Sequence, residues 1–112
     1  MVCKCEIWLA NLNPQKRANE VGKVRPVVIV QSDTLNRTNY PTVIVLPMTT
    51  HLIDEAEPLR MRVSAREKLK NDSDVLVAQI RAIDKERLLE RLGRLDEKEC
   101  SRLQGLMHEI ME

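Results

Sequence analysis

Aromatic residues are almost absent from this sequence of 112 residues, which contains no phenylalanine, one tryptophan and one tyrosine. Valine, isoleucine, leucine and five methionines must therefore fill the core. A chain of this length can bury roughly two thirds of its unfolded surface, which is enough for one domain without disulfide or metal support. We expect a single domain over residues 1–112, with an aliphatic core and without an aromatic platform for stacking against nucleic-acid bases.

Cysteine is scarce as well, and its three copies do not have the spacing of a metal site. One residue separates Cys3 from Cys5, Cys100 lies near the other end of the chain, and no histidine cluster lies close to them in sequence. Reduced thiols, as in cytosolic proteins, are therefore the default expectation, and we expect no metal or other cofactor.

Long hydrophobic runs are also missing. No segment approaches the roughly 20 apolar residues of a membrane span, and the first residues lack the apolar centre of a signal peptide. We therefore expect a soluble cytoplasmic protein with no membrane partner. The net charge of +1 hides an uneven distribution, because residues 1–40 carry six Lys or Arg against three Asp or Glu. The N-terminal part is thus basic.

Apolar runs and period-two alternation predict a strand-rich chain that ends in a helix. The segment at 59–63 has one polar face, which we place near a sheet edge. Asp96 and Glu99 have the spacing of a capping box, so the chain should end in an amphipathic helix. The connections are too short for parallel crossovers, which predicts an antiparallel, curled or barrel-like sheet of the α+β class. The predicted strands cover residues 5–12, 27–31, 42–48, 59–63, a segment from about 75, and 90–95.

Polar side chains stand at the ends of three predicted strands, beside a polar loop over residues 13–23. If the central strands are neighbours, these groups converge. A site with two arginines, hydroxyl groups and an amide, but without a nucleophile triad, suits binding of a phosphodiester. A guanidinium group fits the geometry of a phosphate and can donate two hydrogen bonds to it. RNA supplies its own nucleophile, the 2′-hydroxyl, so the protein need only align it, assist proton transfer and stabilise charge. The side chains are Arg25, Thr49, Thr50, His51, Gln79 and Arg81.

Each of these residues also has a purely structural interpretation. Arg25 could end its strand and pair with Glu20 or Asp33, and exposed ion pairs of that kind contribute little to stability. Thr49 fits any strand end, because threonine favours strands, and Arg81 fits an exposed strand face. Residue spacing alone leaves the function open.

The order and spacing of several motifs resemble the MazF/PemK family of toxin endoribonucleases. A single motif such as Arg-Pro is weak, but the set covers nearly the whole chain, and its order is specific. The motifs are Trp8, Asn13-Pro14, Glu20-x-Gly22-x-x-Arg25-Pro26, Val43 to Pro47 followed by Thr49, and Gln79-Ile80-Arg81-x-Ile83-Asp84.

The resemblance implies a dimeric SH3-like barrel related to the CcdB fold. It also implies metal-independent cleavage of single-stranded mRNA at short sequences, leaving a 2′,3′-cyclic phosphate and a 5′-hydroxyl, with inhibition by an antitoxin that covers the RNA groove. Arg25 and Thr49 match the catalytic residues. Because a guanidinium stays protonated, we favour charge stabilisation as the role of Arg25. The expected RNA-binding residues are Asn13, Lys16, Arg17, Lys23, Thr50, Gln79 and Arg81.

Two departures from the family pattern affect the expected proton transfer and base choice. Ala18-Asn19 replaces the Gly-Ser that commonly precedes the loop glutamate, and Ala78 stands where many relatives carry an acid. Glu20 and His51 are then the remaining titratable candidates for an acid or base.

Two other functions compete with the nuclease. One is a CcdB-like toxin that binds DNA gyrase without catalysis, and the other is an SH3-like binding module without activity. The combination of Arg25 with Thr49 favours the nuclease, because a protein-binding surface has no need for that pair. The RNA cleavage sequence and the identity of the antitoxin do not follow from the sequence.

Overall fold

The computed structural model describes residues 1–12 and 24–112, which form seven strands and a C-terminal helix. Valine and isoleucine dominate the central strands, where β-branched side chains pack well. A 3₁₀ turn at Lys85–Arg87 leads into the last strand. The elements are β1 (Glu6–Asn11), β2 (Val24–Ile29), α1 (Asp33–Asn36), β3 (Thr42–Thr49), β4 (Arg60–Val63), β5 (Ser73–Leu76), β6 (Arg81–Asp84), β7 (Leu88–Arg94) and α2 (Glu97–Met111).

The strands form one antiparallel sheet in the order β4-β5-β3-β2-β1-β7, with β6 paired to β3 outside this path. Strand β3 is central. One of its edges pairs with β2, whereas its other edge pairs first with β6 and then with β5. The sheet is not closed, because β4 and β7 lie at its two ends. The predicted antiparallel α+β architecture and the edge position of the fourth strand are confirmed.

Two hydrophobic clusters occupy opposite faces of the sheet, since neighbouring residues of one strand belong to different clusters. Val28 and Leu46 lie in the first cluster, whereas Val27 and Val45 lie in the second. Helix α2 covers the first cluster. The largest fully buried side chains are all isoleucine, leucine, methionine or valine, so the predicted aliphatic core is confirmed.

Helix α2 begins at the predicted capping box. The Glu99 N–H donates to Asp96 Oδ1 at 2.8 Å, and the Asp96 N–H donates to Glu99 Oε1 at 2.9 Å. Leu103 and Leu106 follow on the buried face of the helix. Within the described residues, no helix is both long and apolar enough to cross a membrane.

The predicted fifth strand was too long. It divides into β5 and β6, because the chain turns after Leu76, where the Gln79 N–H donates to the Leu76 carbonyl at 3.1 Å. The short helix α1 was not predicted. Buried Asn36 stabilises it by donating to the Gln31 carbonyl and to the Asp33 carboxylate, a side-chain pattern that apolar periodicity does not reveal.

The prediction of reduced thiols was wrong for two of the three cysteines. Cys5 and Cys100 form a disulfide with their Cα atoms 6.0 Å apart, while Cys3 is free. The pair is separated by 95 residues in sequence. Its proximity arises only because α2 packs over the start of β1, which residue spacing does not indicate.

Candidate active site

Strands β2 and β3 bring the two predicted catalytic residues towards each other. Val27 lies opposite Pro47, and Ile29 lies opposite Val45. Continued by two residues, this register would place Arg25 opposite Thr49. Both side chains are half-buried, and directly opposite residues of antiparallel strands have Cβ atoms about 5 Å apart. Arg25 and Thr49 thus lie two residues beyond Val27 and Pro47, the last pair of the β2–β3 ladder.

On the other edge of β3, Thr49 begins a row of directly paired residues. Thr49 lies opposite Asp74 of β5, and Asp74 lies opposite Arg62 of β4. Directly opposite residues project from the same face of a sheet. Arg62, Asp74 and Thr49 consequently form a row across β4, β5 and β3, in which a carboxylate lies between a cation and a hydroxyl group.

Asp74 is a buried carboxylate with several hydrogen-bond donors, and its side chain is 1% exposed. Its Oδ2 accepts the Ile53 N–H at 2.9 Å and Arg60 Nη1 at 3.1 Å, while its Oδ1 accepts Arg62 Nε at 2.6 Å. Burial raises the pKa of Asp74, but the hydrogen bonds from Arg62, Ile53 and Arg60 outweigh it and hold this pKa below its usual value. The carboxyl group is therefore ionised at neutral pH.

The chain after β3 connects this carboxylate to the Thr49 hydroxyl. The His51 N–H donates to Thr49 Oγ1 at 3.1 Å, and the His51 carbonyl accepts Arg60 Nη1 at 2.8 Å. Because Oγ1 is the acceptor in the first bond, the hydroxyl hydrogen of Thr49 is free to point towards a substrate. We use the name Asp74 cluster for Asp74, Arg60 and Arg62.

The other predicted site residues in the described part of the chain are exposed. Thr50 and His51 directly follow β3. Gln79 lies in the turn between β5 and β6, and Arg81 is the first residue of β6, opposite Val45. Val45 precedes Thr49 by four residues in β3. Measured along this strand, Arg81 therefore lies about 13 Å from the row of paired residues that contains Thr49. Arg81 thus lies away from the row that contains Thr49 and Asp74.

Five predicted site residues lie outside the described residues. Glu20 was predicted to be an acid or base and the other four were predicted to bind RNA, and these roles remain predictions. The other four are Asn13, Lys16, Arg17 and Lys23.

A cleft of about 380 Å³ adjoins the Asp74 cluster. Residues 53–57 line it together with Arg102 and the cluster itself. Arg62 Nη2 lies 2.9 Å from Asp54 Oδ1, and Arg102 Nη2 lies 2.6 Å from Glu57 Oε1. The three arginines that line this cleft are thus all paired with carboxylates. Within residues 1–12 and 24–112, no group of three or more His, Cys, Asp or Glu side chains is placed to hold a metal ion.

Sequence reasoning did not identify the Asp74 cluster. The available signal was an aspartate inside the otherwise buried strand segment Ser73–Leu76, since a buried carboxylate requires donors. The alternating Arg60 and Arg62 were interpreted only as charges on an exposed edge face. Their partner became visible only when β4 and β5 were paired.

The fold is that of the MazF toxins. The Mycobacterium tuberculosis toxin MazF-mt6 has a TM-score of 0.75 over 95% of this chain and 95% of that chain, with 22% sequence identity. MazF from Deinococcus radiodurans has a TM-score of 0.76 over 98% of this chain and 96% of that chain, with 17% identity. At these identities, the likeness shows the fold alone.

Sequence comparison shows the family as well. The sequence model for the PemK-like, MazF-like toxins of type II toxin–antitoxin systems matches residues 4–111. The endoribonuclease MazF of Staphylococcus epidermidis is 41% identical over 98 residues, which are 87% of this chain and 80% of the relative. The endoribonuclease MazF of Staphylococcus saprophyticus is 39% identical over 88% of this chain and 81% of the relative. The chain belongs to this toxin family, as its motifs predicted.

Proposed function

We propose that this chain is an endoribonuclease toxin that cleaves single-stranded RNA at specific sequences by attack of a ribose 2′-hydroxyl on the adjacent phosphorus. The family match and two relatives named as endoribonucleases support this activity. The observation that best supports the site assignment is the β2–β3 register, whose continuation by two residues would place Arg25 opposite Thr49. The CcdB-like alternative has no comparable support.

The reaction requires no nucleophile from the protein. The 2′-oxygen forms a bond to phosphorus, and the bond between phosphorus and the 5′-oxygen breaks, which leaves a 2′,3′-cyclic phosphate and a 5′-hydroxyl. The 2′-hydroxyl loses its proton to a base, and the 5′-oxygen gains one. Glu20 and His51 are the candidates for these proton transfers.

Arg25 and Thr49 act on the phosphate in this mechanism. The guanidinium group of Arg25 donates hydrogen bonds to the non-bridging oxygens, on which negative charge accumulates as the fifth bond to phosphorus forms. The Thr49 hydroxyl donates a further bond to the same group. Both residues belong to paired strands, so their backbones are already positioned before the substrate binds.

The chain also acts with protein partners in this proposal. One mycobacterial endoribonuclease of the same fold has been solved in complex with its cognate antitoxin, and MazF of Deinococcus radiodurans has been solved with MazE. We propose that the chain forms a homodimer and binds a cognate antitoxin through an acidic, amphipathic segment, which the basic N-terminal part would attract. Cleavage that continues at a saturating concentration of the cognate partner would exclude this inhibition.

Incubation with a long single-stranded RNA in the presence of EDTA tests the activity. We expect cuts at a short recurring sequence, with 2′,3′-cyclic phosphate ends identified by end-specific ligation and sequencing. The Arg25→Ala protein is the control for contaminating nucleases and should leave the RNA intact. Intact RNA with the parent protein would argue for a binding protein without nuclease activity, and cuts made only without EDTA would argue for a metal-dependent reaction.

A further inference from the structure

We propose that Asp74 is a positioning residue that fixes the Thr49 hydroxyl through the backbone of residues 51–53. The inference rests on the proposed function, because it concerns the same reaction. It adds a residue that lies one strand away from the catalytic pair and that belongs to neither the basic loop nor the strand-end motifs.

The first argument is the location of the charge. All four residues of β5 are buried, and Asp74 is the one that ionises. Taking a carboxylate out of water is strongly unfavourable unless donors compensate for the lost hydration. The three donors described above supply that compensation. None of them belongs to β5, so the carboxylate joins its strand to other parts of the chain.

The second argument is the path of the hydrogen bonds. One path runs directly from Asp74 to the Ile53 N–H. Another runs from Asp74 to Arg60 and from Arg60 to the His51 carbonyl. Both paths therefore end on residues 51–53, which are separated from Thr49 by Thr50 alone.

The third argument is the contact between that segment and the hydroxyl. The His51 N–H donates to Thr49 Oγ1, so the position of residue 51 determines the rotamer in which Thr49 makes this bond. If residues 51–53 move, the Thr49 hydroxyl either loses this hydrogen bond or rotates to keep it. Misplacement of a reacting group by about 1 Å can slow an enzyme by up to about 10²-fold, which makes this linkage measurable in the cleavage rate.

The Glu99–Arg66 pair offers a matched control. Glu99 accepts Arg66 Nη2 at 2.7 Å and also Arg66 Nη1. The hydrogen bonds from Arg66 lower the pKa of Glu99 below its usual value despite partial burial. This pair joins the start of α2 to the β4–β5 connection, so its loss should affect stability without turning Thr49.

The test is a double-mutant cycle between Asp74→Asn and Thr49→Ala, with single-turnover cleavage of a short single-stranded RNA as the measurement. Asp74→Asn has nearly the same shape but cannot satisfy both arginines as an anion. We expect a rate about 10- to 100-fold lower, with the RNA dissociation constant changed by less than about threefold. In the Thr49→Ala background, Asp74→Asn should slow cleavage by less than about threefold, because the group it positions is gone.

The control variant Glu99→Gln should melt at a lower temperature and cleave RNA within about twofold of the parent rate. If Asp74→Asn behaves in the same way, Asp74 is only structural and the inference is wrong. If the two fold-reductions in cleavage rate multiply in the double variant, the inference is also wrong, because Asp74 would then act independently of Thr49. Parent-like cleavage by Thr49→Ala would overturn it too but would leave the nuclease activity standing, whereas an inactive parent would refute the proposed function itself.

A second variant covers the case in which Asp74→Asn does not fold. Arg60→Met removes the donor to the His51 carbonyl but leaves the bonds from Arg62 and from the Ile53 N–H to Asp74. We expect cleavage about 3- to 10-fold slower than in the parent, with RNA binding unchanged. An unchanged cleavage rate in folded Arg60→Met would overturn the inference.

Discussion

The β2–β3 strand pair differs sharply between its two ends. At one end, Ile29 lies opposite Val45, and both are fully buried. Two residues beyond the other end, Arg25 and Thr49 are half-buried, and Thr49 lies opposite the charged Asp74. The apolar end contributes hydrophobic burial, whereas the polar end presents donors on the same rigid backbone. Substitutions at the two ends should therefore separate stability from activity.

The largest effect is expected for Arg25→Ala, at the polar end. Loss of one preoriented charge stabiliser typically lowers a rate by roughly 10² to 10³-fold, or about 3 to 4 kcal/mol at the transition state. A substitution at a half-buried strand end should change the free energy of unfolding by only about 0.5 kcal/mol. Arg25→Lys should restore little, because an ammonium group lacks the planar two-donor geometry. Single-turnover cleavage and thermal melting of the same samples measure both quantities, and normal cleavage or a collapsed melt would make Arg25 structural.

Thr49→Ala should have the second largest effect, about 10²-fold in cleavage rate. The substitution removes the hydroxyl but leaves the backbone pairing with Asp74. Thr49→Ser keeps the hydroxyl and should retain most of the rate, which makes it the matched control. Equal rates for the alanine and serine variants would show that the hydroxyl has no role in the reaction.

Ile29→Val should have the opposite signature at the apolar end. Removing one methylene group from a fully buried isoleucine costs about 0.5 to 1.5 kcal/mol of unfolding free energy. Because Ile29 lies four residues from Arg25 along β2, the cleavage rate of the folded protein should stay within about twofold of the parent. Chemical denaturation measures the first quantity. A large loss of activity without a loss of stability would contradict the division between the two ends.

The smallest expected effect is on the pH dependence of the unfolding free energy. The pKa of Asp74 is lowered in the folded protein because the hydrogen bonds from Arg62, Ile53 and Arg60 outweigh the opposing effect of burial. An unfolded aspartate titrates near pH 3.9, so the stabilisation from this group is complete above about that value and is lost as the pH falls towards the lower folded pKa. Below about pH 4, the unfolding free energy of the parent should therefore fall more steeply than that of Asp74→Asn.

Ile29→Val provides the reference for the pH experiment, because it leaves every titrating group in place. Its unfolding free energy should be lower than that of the parent by a constant amount between pH 3 and pH 7. Parallel curves for the parent and Asp74→Asn would show that Asp74 is not ionised in its buried site.

Much of the fold followed from local patterns. Strands at the apolar end of the β2–β3 pair were predicted because Val27 to Ile29 and Val43 to Val45 form uninterrupted apolar runs. The start of α2 was predicted because the two partners in its capping box, Asp96 and Glu99, are close in sequence. Features of this kind depend on neighbours within a few residues, so a single sequence contains the whole signal.

The features that were missed depend on distant partners. Asp74 receives hydrogen bonds from Ile53, 21 residues before it, and from Arg60, 14 residues before it. Cys5 and Cys100 become neighbours only after α2 has packed on the sheet. The sequence around Asp74 indicated at most that a buried carboxylate needs donors, and neither it nor the two cysteines indicated which distant residues are the partners. The catalytic roles proposed for Arg25 and Thr49 come from the resemblance to a family pattern and not from periodicity.

The attack by the ribose 2′-hydroxyl is tested most directly with a substrate that lacks this group at one position. Once the cut site has been mapped, the ribose on its 5′ side can be replaced by 2′-deoxyribose in an otherwise identical oligonucleotide. The account predicts no cleavage at that bond, with RNA binding retained, because the nucleophile is missing and the protein does not supply another. Cleavage of the deoxy-substituted bond at the rate of the all-ribose substrate would contradict the mechanism.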